Sequence, residues 1–100
     1  MDKNRVILQA IALRSCIQAT YNRMAVKLAP HILYTRHDEL FVDAVTVERD
    51  GQPPREQKLG TFKLAGLAVS GIVECDFALS ADFDPAADKY DGVTLFAVDA

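Results

Sequence analysis

The chain has 100 residues, the usual length of a single domain, and its composition of half hydrophobic and one-quarter charged residues supports a buried core and excludes a disordered chain. Its apolar stretches end well short of the roughly 20 residues that cross a bilayer, and no secretory leader is recognisable, so we expect one cytoplasmic domain over residues 1–100 with no membrane partner. The net charge of −3 divides into +3 over residues 1–63 and −6 over residues 64–100, so an anionic partner is expected to contact the first two thirds.

The first predicted elements are a helix and a strand. Apolar residues recur at helical spacing over residues 4–15, which indicates a short amphipathic helix. After Ser15 the period changes to two, and the alternation over residues 17–21 predicts a half-buried strand. Asn22 and Arg23 then form a turn.

Two longer strands are predicted to follow. The second strand covers residues 26–35 and contains Pro30, which indicates a sheet edge or a bulge. Simple alternation places Val26, Leu28, Ile32 and Tyr34 on one side of this strand and Lys27, His31 and Thr35 on the other. Polar residues 36–39 connect it to a third strand, residues 40–47, which is rich in β-branched and aromatic side chains.

The second half of the chain is predicted to contribute further short strands. Residues 58–64 alternate, with Phe62 assigned to the core, and residues 73–79 alternate as a fifth strand. Residues 93–98 are interpreted as a last strand. One helix and five or six strands predict a mainly β fold, a meander that curls into a small, partly open barrel.

An acidic stretch, residues 82–91, precedes the last predicted strand. Asp84 and Pro85 are typical of a helix start, so residues 85–90 are expected to form a turn or two. We interpret the stretch either as a solvated loop or as a cover that competes with anionic ligands for the basic part of the chain.

A set of short segments follows one another in a characteristic order. They are the first helix, the strand ending at Tyr21, the strand containing Pro30, and the triplets Leu40–Phe41–Val42 and Phe62–Lys63–Leu64. Over roughly residues 5–79 this order resembles the WYL domain, a small SH3-like or Sm-like barrel found mostly in bacterial transcription regulators. The sequence departs from the family pattern at Leu40, which replaces the tryptophan, and at Gly60 and Gly66, where the family often has arginine.

The resemblance implies ligand sensing by a barrel of five to six antiparallel strands. Its ligands are nucleotides or single-stranded nucleic acid, bound on a basic face, and binding alters the activity of an attached DNA-binding or effector domain. A helix-turn-helix needs two helices, whereas one predicted helix precedes Cys16, so we expect no direct reading of duplex DNA.

Four residues are the candidate ligand-binding site. Lys27, His31 and Lys63 are predicted on strand positions opposite the apolar faces, where cations bind phosphate, and Tyr21 is positioned to stack a base. The alternative for each residue is a solvated side chain on an exposed face.

The sequence contains no recognisable catalytic or metal-binding pattern. No serine lies in the small-residue elbow that exposes a nucleophile, and His31 and His37 have no cysteine or carboxylate at metal-site spacing. Cys16 and Cys75 lie far apart and are predicted to be buried free thiols. We therefore predict a protein that is not an enzyme and holds no cofactor or metal.

The leading hypothesis is a stand-alone WYL-like sensing or regulatory module that binds an anionic ligand, either a nucleotide or single-stranded nucleic acid, or docks onto a regulatory protein partner. The alternative is a protein–protein interaction or assembly module with no small ligand. In that module, exposed strand edges would pair two copies into a homodimer.

Overall fold

The structure is a computed structural model that describes residues 3–55, 58–73 and 79–98. Its helix and strands are α1 (Lys3–Leu13), β1 (Cys16–Tyr21), β2 (Met24–Arg36), β3 (Glu39–Arg49), β4 (Leu59–Lys63), β5 (Leu67–Val73) and β6 (Thr94–Ala97). Short 3-10 turns lie at Leu64–Gly66 and Asp88–Tyr90. The mainly β fold with a short N-terminal helix is confirmed.

All six strands belong to one antiparallel sheet. Along the sheet the order is β4-β3-β2-β1-β5, and β6 pairs with β2. Because β2 is 13 residues long, its first half pairs with β1 and its second half pairs with β6 along the same edge. The sheet is therefore a small, partly open barrel, as predicted.

Two tight turns set the register of the first three strands. Asn22 and Arg23 have φ of 50° and 64°, and His37 and Asp38 have φ of 53° and 64°. Two consecutive left-handed residues form the turn whose twist matches that of paired strands. The predicted turn at Asn22 and Arg23 is confirmed, while the second turn is shorter than the predicted 36–39.

A bulge in β2 changes which side chains share a face. Pro30 pairs with Ala44 and Ile32 pairs with Asp43, so His31 is an extra residue without a partner on β3. The prediction of a bulge near Pro30 is confirmed. An inserted residue inverts the alternation beyond it, so Ile32 is on the opposite side of the sheet from the first half of the strand.

The two faces of the sheet are covered by different segments. The helix face packs against α1 through a core that includes Ile7, Ile11, Ile17, Leu28, Leu33 and Val42. The other side, here called the strap face, presents Ile32 and Tyr34, which pack with Tyr90 and the partly buried Phe83. The prediction that Val26, Leu28, Ile32 and Tyr34 share a face is therefore wrong, because the bulge separates the first two from the last two.

Residues 79–93, here called the strap, run across the strap face and contain the acidic stretch. Asp82, Asp84, Asp88 and Asp91 are exposed, but Tyr90 is only 3% exposed and belongs to the core. The stretch is therefore a largely exposed loop, as interpreted, and the buried side chain of Tyr90 anchors it to the sheet.

The fifth strand begins earlier than the alternation indicates. Strand β5 covers Leu67–Val73, whereas residues 74–78 of the predicted strand lie outside the described residues. Gly71 pairs with Gln18, and the β1–β5 register shifts immediately after this pair. Glycine inside a strand often accompanies such an irregularity.

Cys16 is fully buried and disulfide-bonded, so the prediction of a free thiol is wrong for this residue. Cys75, the other cysteine of the chain, lies outside the described residues. Disulfides persist mainly in oxidising compartments, and the cytoplasmic location stays a prediction. In the ranges that the structure describes, no helix has the length and apolar character needed to span a bilayer.

The buried helix face generates a stability prediction. Leu28 is completely buried, so L28A should lower the free energy of unfolding by about 2–5 kcal/mol through lost burial and the cavity left behind. The matched control is L13A, because Leu13 is 61% exposed, and we expect a change of less than about 0.5 kcal/mol. Urea denaturation followed by circular dichroism measures both, and equal losses would contradict this assignment of the core.

Candidate functional site

The two predicted lysines lie in separate ion pairs. Lys27 Nζ is 2.6 Å from a Glu48 carboxylate oxygen, and Lys63 Nζ is 2.9 Å from one of Glu39. Lys27 lies opposite Glu48 and Lys63 lies opposite Phe41, and these two β3 positions are seven residues apart. That separation corresponds to roughly 23 Å along a strand, so the lysines do not form one phosphate-binding patch.

His31 is buried at the bulge and faces the strap. Its Nδ1 lies 2.8 Å from the carbonyl oxygen of Ala29, and its Nε2 accepts a hydrogen bond of 3.0 Å from the backbone N–H of Ser80. This arrangement assigns the ring proton to Nδ1. Burial lowers the pKa of His31, against smaller opposing effects of Ala29 and Asp43. The ring therefore fastens the strap and does not reach solvent, contrary to the placement expected from simple alternation.

Of the predicted site residues, Tyr21 lines a groove that has no carboxylate among its described lining residues. It ends β1, and its ring lies edge-on to Phe62 with centroids 5.1 Å apart. The groove has a volume of about 240 Å³. We call it the aromatic groove, and its lining is Tyr21, Asn22, Met24, Val26, Thr46, Arg49 and Phe62.

Arg49 supplies the positive charge of the aromatic groove. It is exposed, and among the described residues no carboxylate forms an ion pair with its guanidinium. The β2–β3 register shifts at Val47, so that Thr46 lies opposite Leu28 while Arg49 lies opposite Val26. Because paired residues share a face, both polar side chains lie on the helix face beside the aromatic rings.

Sequence reasoning missed Arg49 and assigned Phe62 only to the core. Strict alternation from Thr46 puts Arg49 on the opposite face, and the register shift at Val47 reverses that result. Phe62 does pack on the core but is only partly buried, so the same ring also lines the groove. Nothing in the local sequence marks the shift at Val47.

A larger groove of about 430 Å³ lies between α1 and the β2–β3 turn, and its charges are balanced. Its lining includes Lys3, Lys63, Asp38 and Glu39. Lys3 Nζ donates to the backbone oxygens of Leu64 and Leu67 at 2.6 and 3.2 Å, and Lys63 pairs with Glu39. With both amines engaged and two carboxylates beside them, this groove does not favour an anion.

A buried carboxylate joins the strap to the sheet. Asp43 on β3 accepts hydrogen bonds from the hydroxyls of Tyr34 at 2.7 Å, Thr61 at 2.8 Å and Tyr90. Lys89 Nζ lies 2.7 Å from the same carboxylate. Four partners from three segments thus converge on one buried anion, which we call the Asp43 centre.

The pKa values of the Asp43 centre keep its protons in place at neutral pH. Burial pushes the pKa of Asp43 up, but Lys89 and the three hydroxyls together hold it below its ordinary value. Burial and the hydrogen bond to Asp43 raise the pKa of Tyr34 to about 12 and also raise that of Tyr90. Efficient general acid–base catalysis needs a group that titrates near the working pH, and these three groups do not. The arrangement of these groups suits a structural role, in which they hold the strap on the sheet.

Replacing Asp43 should loosen the strap. We expect D43N to cost about 2–4 kcal/mol in unfolding free energy, because Lys89 loses its counter-charge and three hydroxyls lose a charged acceptor. The control E48Q breaks the partly exposed pair with Lys27 and should cost less than about 1 kcal/mol. Thermal denaturation compares the two variants, and a smaller loss in D43N than in E48Q would contradict the role of the centre.

His31 should make stability depend on pH. Because the pKa of His31 is lowered in the folded state, its contribution to stability is present above its ordinary value of about 6.5 and is lost as the pH falls through the folded-state pKa. The slope should therefore appear below about pH 6.5, and H31Q should remove it. His37 is exposed, so H37Q should keep the wild-type slope. Unfolding free energies measured from about pH 8 to about pH 5 test this, and an unchanged slope in H31Q would refute it.

Comparison with known proteins adds no assigned role to these residues. No protein-family model, no curated protein and no solved structure matches the chain. The resemblance to the WYL domain accordingly stays a prediction. Any function has to be argued from the grooves, charges and edges of the molecule.

Proposed function

We propose that the protein is a ligand-binding module that takes a small planar anion in the aromatic groove, with a mononucleotide as the favoured ligand class. The observation that supports this is that the exposed Arg49 lines the same groove as Tyr21 and Phe62, whose rings lie edge-on to each other. A guanidinium binds phosphate through paired, charge-assisted hydrogen bonds. Aromatic side chains stack or pack against a base.

The size of the groove limits the ligand. Typical small-molecule pockets have volumes of about 300–1,000 Å³, and the aromatic groove has about 240 Å³. A single base therefore fits, with its sugar and phosphate extending toward Arg49 and solvent. Single-stranded nucleic acid would place one nucleotide here, with its neighbours on the surface outside.

This proposal keeps the expectation of an anionic ligand but moves the site. Tyr21 stays in the binding set, and Arg49 takes the role that was expected of Lys27, His31 and Lys63. The lysines are engaged by Glu48 and Glu39, and His31 is buried beneath the strap. A sensing role, as implied by the WYL resemblance, would use the groove as the receptor.

A non-enzymatic role fits the chemistry of the groove. Of the described residues that line it, one is charged, and none is a carboxylate, histidine, cysteine or lysine. Asn22 and Thr46 are suited to hydrogen-bond a ligand, not to transfer its protons at neutral pH. Binding is therefore the proposal, with regulation of a partner protein as its consequence.

The test is calorimetric titration with adenosine 5′-monophosphate, uridine 5′-monophosphate and neutral adenosine at low and high salt. We expect the monophosphates to bind with an affinity that falls as salt rises, because the phosphate contact is electrostatic. Adenosine should bind more weakly. R49A should weaken monophosphate binding about tenfold or more, as expected for a lost charge-assisted hydrogen bond of roughly 1.5–3 kcal/mol.

The matched control is R23A, in the neighbouring turn. Arg23 is exposed and is not among the lining residues, so its removal changes net charge equally without touching the groove. Equal losses in R49A and R23A would reduce the effect to net charge. Absence of binding by both monophosphates would overturn the proposed ligand class.

A further inference from the structure

The strap consists of two halves, each closed by a hydrogen bond of its own. In the first half, residues 79–83, the N–H of Phe83 donates to the carbonyl oxygen of Ser80 at 3.1 Å. In the second half, residues 84–93, a backbone hydrogen bond of 3.0 Å closes the turn that begins at Asp84. None of the hydrogen bonds between described residues of the strap joins one half to the other. Each half therefore keeps its turn without the other.

A different group of the sheet fastens each half of the strap. The backbone N–H of Ser80 donates to Nε2 of His31 at 3.0 Å, and the ring of Phe83 lies edge-on to the imidazole with centroids 5.2 Å apart. The second half is held by the Asp43 centre. An imidazole therefore secures the first half and a carboxylate secures the second, and these two groups titrate in different pH ranges.

Protonation of His31 removes the acceptor that the first half uses. The Nδ1–H of the neutral ring is directed at the carbonyl oxygen of Ala29, which leaves the Nε2 lone pair for the N–H of Ser80. In the imidazolium both ring nitrogens carry protons, so Nε2–H would face the N–H of Ser80 across 3.0 Å. Two donors cannot satisfy each other. The charged ring therefore favours a strap whose first half has moved away.

The groups around His31 do not offset this loss. Burial has the largest effect and lowers the pKa of His31, and the backbone bond to Ala29 and the charge of Asp43 on β3 oppose it only in part. The Asp43 carboxylate is already bound by Lys89 and three hydroxyls. From β6 the contact is the N–H of Val98, 2.8 Å from the carbonyl oxygen of His31, and the aspartates of the strap are exposed. Because burial dominates, the ring gains a proton more readily once it returns to water.

We propose that the strap is a pH-sensitive switch: protonation of His31 releases its first half from the sheet, while the Asp43 centre keeps the second half in place. The carboxylate remains ionised in mild acid, because the pKa of Asp43 lies below its ordinary value. Opening exposes the His31 ring and the side chain of Phe83 to solvent. The switch does not depend on the aromatic groove, because the residues that line the groove include neither His31 nor any residue of the strap.

Amide hydrogen exchange, followed by NMR on the wild-type chain at about pH 7.5 and about pH 5, tests the switch. Protection factors remove the intrinsic pH dependence of exchange and report local opening. The ordinary histidine pKa of about 6.5 limits the gain in opening over this range to about 30-fold. We expect the protection of the Ser80 N–H to fall at least about fivefold, within that limit. The N–H of Thr35, which donates to the carbonyl oxygen of Val93 in the second half at 3.0 Å, should keep its protection.

Two glutamine variants identify the titrating group. H31Q removes the ionisable ring and should abolish the fall in Ser80 protection, whereas H37Q, the matched control, leaves His31 as the only histidine of the chain and should retain that fall. A wild-type Ser80 protection that is the same at both pH values overturns the switch. An equal fall at Ser80 and Thr35 would overturn the division into halves, and a wild-type fall in H31Q would overturn the assignment to His31. If circular dichroism shows that H31Q is unfolded, the wild type and H37Q decide, because the nitrogen chemical shifts of the His31 ring show whether it ionises as Ser80 loses protection.

Discussion

The bulge at His31 is the constraint on which both faces of the sheet depend. One residue in β2 has no partner on β3, and the alternation of side chains inverts there. Before the bulge, Leu28 packs in the core under α1; after it, Ile32 and Tyr34 pack under the strap. The bulge thus decides which residues in the second half of β2 face the strap and which face α1.

The Asp43 centre holds the strap in place on the strap face of the sheet. Asp43 lies opposite Ile32, immediately beyond the bulge, and therefore points to the strap face. There it receives hydroxyls from β2, β4 and the strap, together with the amine of Lys89. A buried charge without such partners would cost several kcal/mol, so the strap and the sheet are coupled at this point. Lys89 of the strap neutralises the buried Asp43, whereas the aspartates of the strap face outward.

Much of the fold was predictable because it is local. The helical period of residues 4–15, the alternation over residues 17–21 and the turn residues Asn22 and Arg23 each specify structure through neighbours in the chain, and each is present. The candidate site was less predictable, because it depends on register. Arg49 joins Tyr21 only through a shift at Val47, and His31 is buried only because the strap covers it. Neither event leaves a mark in local composition. The disulfide at Cys16 likewise depends on distant folding that spacing does not reveal.

The pairing of β6 with β2 has a consequence for the order of folding. The first four strands connect through short turns and loops, so their contacts are close in sequence, whereas Ile32 meets Ala97 about 65 residues later. Contacts of such separation form late and slow the folding of a small domain. Before the strap and β6 have folded onto the sheet, the side chains of Ile32, Tyr34 and the ionised Asp43 lack the cover that these segments provide. The folding chain therefore passes through a stage at which an apolar sheet surrounding a charge is open to other proteins, and docking of the strap ends that exposure.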